Sequence, residues 1–151
     1  AYQAILRSSR AYKPDAVIGG VEVAEMVRPG VETIVGARQD PSFGPVIMFG
    51  LGGIYVEVMK DAAFRAAPVG PAMAREMIAE LRSYPLLLGV RGESRKDVDA
   101  IADVVVRLSQ LVDQCRDIAD IEVNPLIVYD RGQGTKTVDM RILIKQPKGV
   151  S

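Results

Sequence analysis

The feature that most constrains this chain is a pair of alternating segments near its carboxyl end. Apolar and polar residues alternate over 121–129 and again over 135–144, and the glycine-containing segment 130–134 separates them. Successive side chains of a β-strand point to opposite faces, so this pattern predicts two strands that each bury one face. Because the connection is short and contains glycine, we predict that the two strands pair as an antiparallel hairpin.

The polar residues of the predicted hairpin fall on one face. Glu122 and Asn124 lie two positions apart and share a face of the first strand, and Asp139 takes the corresponding face of the returning strand. A four-residue loop pairs Asp139 directly with Asn124, whereas a two-residue turn pairs it with Leu126 and leaves Asn124 on the diagonal. Both registers bring the three polar side chains to a common patch, whereas a three-residue loop without a bulge would send Asp139 to the other face. The residues predicted for the opposite, buried face of the first strand are Ile121, Val123 and Ile127.

This patch offers only oxygen ligands, namely two carboxylates and one carboxamide. Hard cations take such ligands, and Mg²⁺ commonly keeps several waters and shares its coordination with phosphates. Two carboxylates this close also repel each other unless a cation lies between them. The spacing therefore fits a Mg²⁺ site, and it also fits a solvated outer face that carries scattered charge.

Periodicity, proline and glycine predict the other elements. The predicted helices are residues 1–12, a helix that begins at Pro71 and one that begins at Ser94. The predicted strands are 17–27, 31–38, 46–49 and 64–69, with the first two paired as a hairpin. The apolar stripe of the last helix runs to Cys115, which we predict to be buried. Strands interspersed with helices and short hairpins indicate an α/β or α+β fold.

Composition excludes several classes of function. The 151 residues carry 19 Lys and Arg against 19 Asp and Glu, and this balance argues against a general nucleic-acid binder or attraction to an anionic membrane. The chain has no histidine and a single cysteine, so it holds no Ser-His-Asp triad, internal disulfide or Cys-Cys zinc site. No apolar run approaches the roughly 20 residues of a membrane span. We therefore expect a cytoplasmic protein that binds neither membrane nor nucleic acid.

Several segments resemble one enzyme family. The sequence EVNPL at 122–126, followed by Asp139, resembles the metal-binding end of an ATP-grasp fold, and EMVRPGVE at 25–32 resembles its hinge and following strand. Residues 40–61 and the sequence FRAAP at 64–68 are similar to the nucleotide-binding subunit of ADP-forming acyl-CoA synthetases, relatives of succinyl-CoA synthetase. The likeness covers nearly the whole chain.

The resemblance implies a fold and a metal site. The fold would be the carboxyl-terminal lobe of an ATP-grasp domain, a mostly antiparallel sheet with helices packed on one face. By position in the motif, Asn124 and Asp139 would ligate Mg²⁺, with Glu122 as a ligand or a close support. The Mg²⁺ would accompany ATP or ADP.

The resemblance also implies where the nucleotide lies. A hinge would contact adenine, largely through backbone groups, and its residues would be Glu25, Met26 and Val27. Glu32 would accept hydrogen bonds from the ribose hydroxyls. Proline and leucine follow Asn124 where some ATP-grasp enzymes have an arginine, so another cation must meet the phosphate charge, and Arg65 is the candidate in this chain.

The intact enzymes of this family interconvert an acyl-CoA, ADP and phosphate with a free acid, CoA and ATP, through an acyl phosphate and a phosphohistidine. Residues 1–146 would form one nucleotide-binding lobe, followed by a tail over 147–151. The chain begins abruptly, without an initiating Met, so we expect a fragment of a longer protein. The other lobe, the CoA-binding domains and the histidines would come from other domains or subunits, and we expect the fragment alone to be inactive.

Three alternatives stay open at the level of sequence. The chain could belong to the synthetase-like regulatory portion of a multidomain protein lysine acetyltransferase, which shares this domain family. It could be a non-catalytic nucleotide-binding module with a degenerate site, although all three polar residues of the patch are retained. A carboxylate–amine ligase of the same fold is the third, and the sequence FGLGG at 49–53 disfavours it.

Overall fold

The computed structural model describes residues 1–53, 58–90 and 92–145, which form an antiparallel sheet with helices. The strands are β1 Val31–Asp40, β2 Gly44–Leu51, β3 Ala62–Ala66, β4 Ile118–Val128, β5 Thr135–Thr137 and β6 Met140–Ile144. They follow the order β3-β2-β1-β4-β5 in the sheet, and β6 pairs with β4 next to β5. The helices are α1 Tyr2–Tyr12, α2 Pro71–Ala79, α3 Tyr84–Leu87 and α4 Val98–Gln114. The predicted tail at 147–151 lies outside the described residues.

Helices α2 and α4 pack on one side of the sheet, which we call the helix face, and we call the other side the open face. The core lies between the helix face and the helices. Its largest fully buried side chains include Phe49 and Ile47 of β2 and Ile101 and Val105 of α4. Burial of side chains of this size stabilises the fold by about 1.5–3 kcal/mol each. The predicted arrangement, a mostly antiparallel sheet with helices on one face, is therefore confirmed.

The strand predicted over 17–27 is wrong, and so is its hairpin with the next strand. Residues 16–30 form no helix or strand, and Val17 and Val23 are fully or almost fully exposed. Strand β1 is instead paired with β2 on one edge and with β4 on the other. Both edges of β1 are thus occupied, and a strand that has no partner for its backbone groups is not stable.

The long helix begins later than predicted. Residues 94–97 precede the helix, where Lys96 forms a β-bridge with Asp130, and Asp97 is the N-cap that accepts from Ala100 N. At the other end, Cys115 is the C-cap and is exposed, so the prediction that it is buried is wrong. Its backbone has left the helical conformation, so its side chain no longer continues the apolar stripe.

A β-bulge in β4 changes which residues face the core. Thr33 pairs with Leu126 and Val35 with Val123, so Asn124 and Pro125 together lie opposite one residue of β1. The extra residue reverses the alternation beyond it. The core therefore takes Ile121, Val123, Leu126 and Val128, and the prediction that Ile127 shares the face of Ile121 is wrong.

The other predicted elements agree with the structure to within a few residues. The strand predicted at 46–49 is the centre of β2, and the one predicted at 64–69 is β3, displaced toward the amino end. Helix α2 begins at Pro71, as predicted. Helix α1 has no buried residue. None of the described helices is long and apolar enough to cross a membrane.

Candidate metal and nucleotide site

The hairpin register brings two of the predicted metal ligands face to face. Strand β4 pairs with β5 and β6 so that Leu126 lies opposite Thr137 and Val123 opposite Met140. Between these pairs, Asn124 N donates to Asp139 O over 3.0 Å. The four-residue loop at 130–133 produces this register, which is one of the two that the sequence allowed. Asn124 and Asp139 are thus direct cross-strand neighbours, at which Cβ atoms lie roughly 5 Å apart.

The strand pairing places the three polar residues next to one another, and the side chains of two of them are in direct contact. The Asn124 amide nitrogen donates to Glu122 Oε1 over 3.1 Å, which leaves the amide oxygen of Asn124 as an acceptor. Asp139 Oδ1 accepts from the backbone nitrogen of Met140 over 2.8 Å, which leaves its other oxygen as an acceptor. Asn124 and Asp139 are exposed and Glu122 is half-buried. The arrangement therefore presents carboxylate and carboxamide oxygens to the space above the sheet.

Arginines that the sequence analysis did not single out balance the charge of this face. Arg141 lies across from Glu122 and approaches Glu122 Oε2 at 3.6 Å and Asp120 Oδ2 at 3.2 Å. Arg38 of β1 approaches Asp120 Oδ1 at 3.6 Å. The signal was present in the sequence, because Asp120 and Arg141 each lie two positions from a predicted ligand and so share its face.

A recess opens on the same face beside Glu122. It has a volume of about 350 Å³, and its lining combines apolar side chains with the charged residues just described. Gly36 and Met48 belong to this lining, and Phe64, which is 58% exposed, is also part of it. The open face thus continues from the polar patch into a partly apolar hollow.

The predicted hinge lies at the other end of the open face. Glu25 Oε2 pairs with Lys136 Nζ of β5 at 2.7 Å, and the Arg28 guanidinium lies 4.7 Å from the centre of the Tyr129 ring. The hydrogen bond and the charge of Lys136 lower the pKa of Glu25 below its usual value, and those of Glu25 raise the pKa of Lys136. Two contacts therefore fasten this irregular segment to the hairpin.

The remaining predicted nucleotide residues fall on different sides of the sheet. Met26 is 92% exposed and Val27 is half-buried. Glu32 is exposed and pairs with Ile127, on the open face and roughly 10 Å along β4 from Asn124. Arg65 pairs with Ile47 of the core, so it points to the helix face, where it forms an ion pair with Glu80. The structure therefore brings Glu32 to the face of the polar patch and Arg65 to the opposite face.

The donor set suits a hard cation that keeps part of its own shell. Within the described ranges, no three His, Cys, Asp or Glu side chains are grouped so as to hold a metal by themselves. Glu122, Asn124 and Asp139 contribute two carboxylates and one amide oxygen. Mg²⁺ is characteristically bound by one or two carboxylates, with water and substrate phosphates completing its octahedron. The residues present fit that kind of ion.

These features, an antiparallel sheet with helices on one face and a carboxylate–amide patch on the other, agree with the comparison to known families. The model of the ATP-grasp domain matches residues 1–144. The chain belongs to the ATP-grasp family.

The individual relatives are CoA ligases. The chain is 47% identical over 145 residues to the beta subunit of acetate–CoA ligase [ADP-forming] II of Pyrococcus furiosus, a match that covers 95% of this chain and 61% of the relative. It is similar to a solved structure of the dinucleotide-forming acetyl-coenzyme A synthetase 1 of Ca. Korarchaeum cryptofilum, in complex with coenzyme A, Ca-AMPCP and HgCl⁺. That match has a TM-score of 0.82 and 41% identity, and covers 95% of this chain and 62% of the other.

A second structure of the Korarchaeum synthetase contains coenzyme A and Mg-AMPPCP. Its match to this chain has a TM-score of 0.75 at 43% identity, and it covers 79% of this chain and 55% of the other. The chain thus spans about three fifths of the length of these relatives.

Proposed function

We propose that this chain is the metal-binding lobe of the nucleotide site in an ADP-forming acyl-CoA synthetase. The reaction would interconvert an acyl-CoA, ADP and phosphate with a free acid, CoA and ATP. The observation that carries the proposal is the register that sets Asn124 opposite Asp139, with Glu122 hydrogen-bonded to Asn124. The relatives described above are CoA ligases, which favours a synthetase over the regulatory portion of a lysine acetyltransferase.

The role of the lobe would be electrostatic. Asn124 and Asp139 would hold Mg²⁺ through side-chain oxygens, with Glu122 as a third ligand or as the acceptor that orients the Asn124 amide. Mg²⁺ held there would neutralise the charge of the phosphates. Arg141 would limit the repulsion between Glu122 and Asp120 when the ion is absent, because it approaches both carboxylates. The Mg-AMPPCP complex of the Korarchaeum synthetase supports magnesium as the ion.

The nucleotide would lie along the open face from the hinge to the metal. The carboxylate of Glu25 is engaged by Lys136, which leaves the backbone groups of residues 25–27 to meet adenine. Glu32 would accept from the ribose hydroxyls, since it is exposed on the open face between the hinge and Asn124. The phosphates would then reach the patch formed by Glu122, Asn124 and Asp139. The chain offers no histidine, so phosphoryl transfer through phosphohistidine would require another domain or subunit.

Binding of Mn²⁺ to the intact protein tests this proposal. Mn²⁺ with ADP is titrated by electron paramagnetic resonance against the wild type, Asp139→Asn and Asn124→Ala. We expect each variant to weaken Mn²⁺ binding by at least about tenfold, since even residues that only support a metal ligand contribute 10- to 100-fold. Asp103→Asn, an exposed carboxylate on α4 that pairs with Arg107, is the matched control and should bind Mn²⁺ normally.

The same titration can also contradict the assignment of the metal site. If both variants bind Mn²⁺ and ADP as the wild type does, the patch is not the metal site. Formation of ATP from acyl-CoA, ADP and phosphate by the intact protein tests the assigned reaction separately. A protein that binds Mn²⁺ and ADP through these residues but forms no ATP would favour a nucleotide-binding module over a synthetase.

A further inference from the structure

One buried carboxylate joins the start of α4 to the hairpin loop. Asp97 is only 8% exposed, and its Oδ1 accepts from Ala100 N at 3.2 Å as the helix cap. Its Oδ2 accepts from Gly132 N and Gly134 N, each at 2.9 Å. Hydrogen bonds from backbone N–H groups to a carboxylate are among the stronger ones in proteins. Asp97 therefore fixes the loop as well as capping the helix.

The residues that precede Asp97 strengthen this junction. Lys96 forms a β-bridge with Asp130, and its Nζ pairs with Asp130 Oδ1 at 2.8 Å although the Lys96 side chain is only 14% exposed. The backbone nitrogen of Arg131 donates to Arg95 O over 2.8 Å. The loop is therefore bound at several successive positions to one rigid helix terminus.

The conformation of this loop determines the register of the two strands that it connects. Tyr129 N donates to Gly134 O over 3.1 Å and closes the loop after four residues, with Gly132 and Gly134 at φ of 80° and 76°. Only glycine adopts such angles at little cost. A slip of one residue would turn every later side chain of the returning strand to the other face. Asp139 would then point to the helix face.

We propose that Asp97 is a positioning residue for the metal site, because it holds the hairpin loop in the form that places Asp139 opposite Asn124. It acts through the loop and not by contact, since the strand covers roughly 17 Å between Gly134 and Asp139 at about 3.3 Å per residue. The inference rests on the proposed function, in which Asn124 and Asp139 bind the ion.

The substitution Asp97→Ser separates the two roles of this carboxylate. Serine is a good N-cap and keeps the bond to Ala100 N, but it has one oxygen on a shorter side chain and cannot also reach the two glycines of the loop. Asp97→Asn retains the length and one oxygen, so an intermediate effect is expected. Ser109→Ala is the control, because it removes the buried hydrogen bond that Val69 N donates to Ser109 Oγ, between the segment before α2 and α4, without touching the hairpin.

Two measurements on the intact protein test the proposal. The first is Mn²⁺ affinity with ADP, which should fall about tenfold or more in Asp97→Ser, less in Asp97→Asn and not at all in Ser109→Ala. The second is NMR-detected hydrogen exchange of the backbone N–H of Asn124, which is protected by its hydrogen bond to Asp139 O in the native register. We expect this amide to exchange at least about tenfold faster in Asp97→Ser, whereas the amides of β1 and β2 keep their protection.

The outcomes separate this inference from the function on which it rests. The positioning role would be overturned if folded Asp97→Ser binds Mn²⁺ with wild-type affinity and its Asn124 backbone N–H exchanges at the wild-type rate. If the wild type itself binds no Mn²⁺, the proposed function fails. The exchange rate of the Asn124 backbone N–H then decides by itself whether Asp97 sets the register. Should Asp97→Ser not fold, the same two measurements on Asp97→Asn decide the question.

Discussion

Replacing Thr33 by valine removes a single hydrogen bond at the bulge that orients Asn124. Thr33 is fully buried, and its hydroxyl donates to Leu126 O over 2.8 Å, from β1 to β4 just beyond the bulge. Valine has nearly the same shape, so the substitution leaves the carbonyl of Leu126 without this donor and creates little space. Leaving a buried polar group without its partner costs about 1–3 kcal/mol.

Thermal unfolding measures the effect on the free energy of unfolding. A loss of 1–3 kcal/mol corresponds to a Tm lower by roughly 3–9 °C for a domain of about this size. Thr33→Ser keeps the hydroxyl and loses one methyl group, which costs about 1 kcal/mol through reduced burial. We expect Thr33→Ser to retain wild-type Mn²⁺ affinity, whereas Thr33→Val should lower it because the bulge is less firmly held. A Thr33→Val protein as stable as the wild type would contradict this expectation, since it would show that the hydrogen bond contributes nothing to stability.

Three other perturbations have expected outcomes. Burial of Asp61 acts to raise its pKa, but hydrogen bonds from Ser83 and Arg82 outweigh this and hold the pKa below its usual value. The contribution of the ionised Asp61 to stability is therefore complete above about pH 4 and is lost as the pH falls through the lowered pKa. In unfolding experiments, Asp61→Asn should therefore cost about 1–2 kcal/mol at pH 7 and progressively less at acid pH. An equal cost at pH 7 and pH 2 would contradict this. The Glu25–Lys136 pair, with the pKa of Glu25 lowered and that of Lys136 raised, should persist between about pH 4.3 and pH 10.4, and in Glu25→Gln an NMR titration should find the pKa of Lys136 lower than in the wild type. An unchanged pKa of Lys136 would show that the pair does not form. In Gly30→Ala the new Cβ would lie 2.6 Å from Ile127 Cγ2 and 2.7 Å from Val128 O, so we expect chemical denaturation to show a loss of about 1–3 kcal/mol in the free energy of unfolding. Gly19→Ala, with open space around the new Cβ, should change this free energy little. Equal stability of the two variants would contradict the described packing.

The sequence pattern predicted the elements that depend on residues close together in the chain. The hairpin of β4 with β5 and β6 joins neighbours in sequence, so alternation and a glycine turn were enough to predict that Asn124 and Asp139 are neighbours across it. Helix α2 was likewise predicted from Pro71, since proline favours the first turn of a helix. The choice between the two registers was not local, because the backbone of the loop is hydrogen-bonded to Asp97, which lies outside the hairpin.

The features that could not be predicted from the sequence depend on pairing between distant segments. The segment 17–27 has the apolar residues of a strand, but β4, nearly a hundred positions away, takes the edge of β1 that this segment would need. The bulge had a local signal in Pro125, which has no N–H to donate to a ladder. The effect of the bulge on Ile127 depends on the pairing of β4 with the distant β1, in which Ile127 lies opposite Glu32. The role of Arg141 was not predicted, because a face expected to bind a metal cation gives no reason to expect an arginine there.

A crystal structure of the intact protein with Mn²⁺ and a nonhydrolysable ATP analogue would show whether Asn124 and Asp139 bind the metal. Anomalous scattering locates the manganese independently of the protein atoms. We expect a manganese peak about 2.0–2.3 Å from the side-chain oxygens of Asn124 and Asp139, near the phosphates. A manganese ion bound to the phosphates but far from both side chains would contradict this expectation.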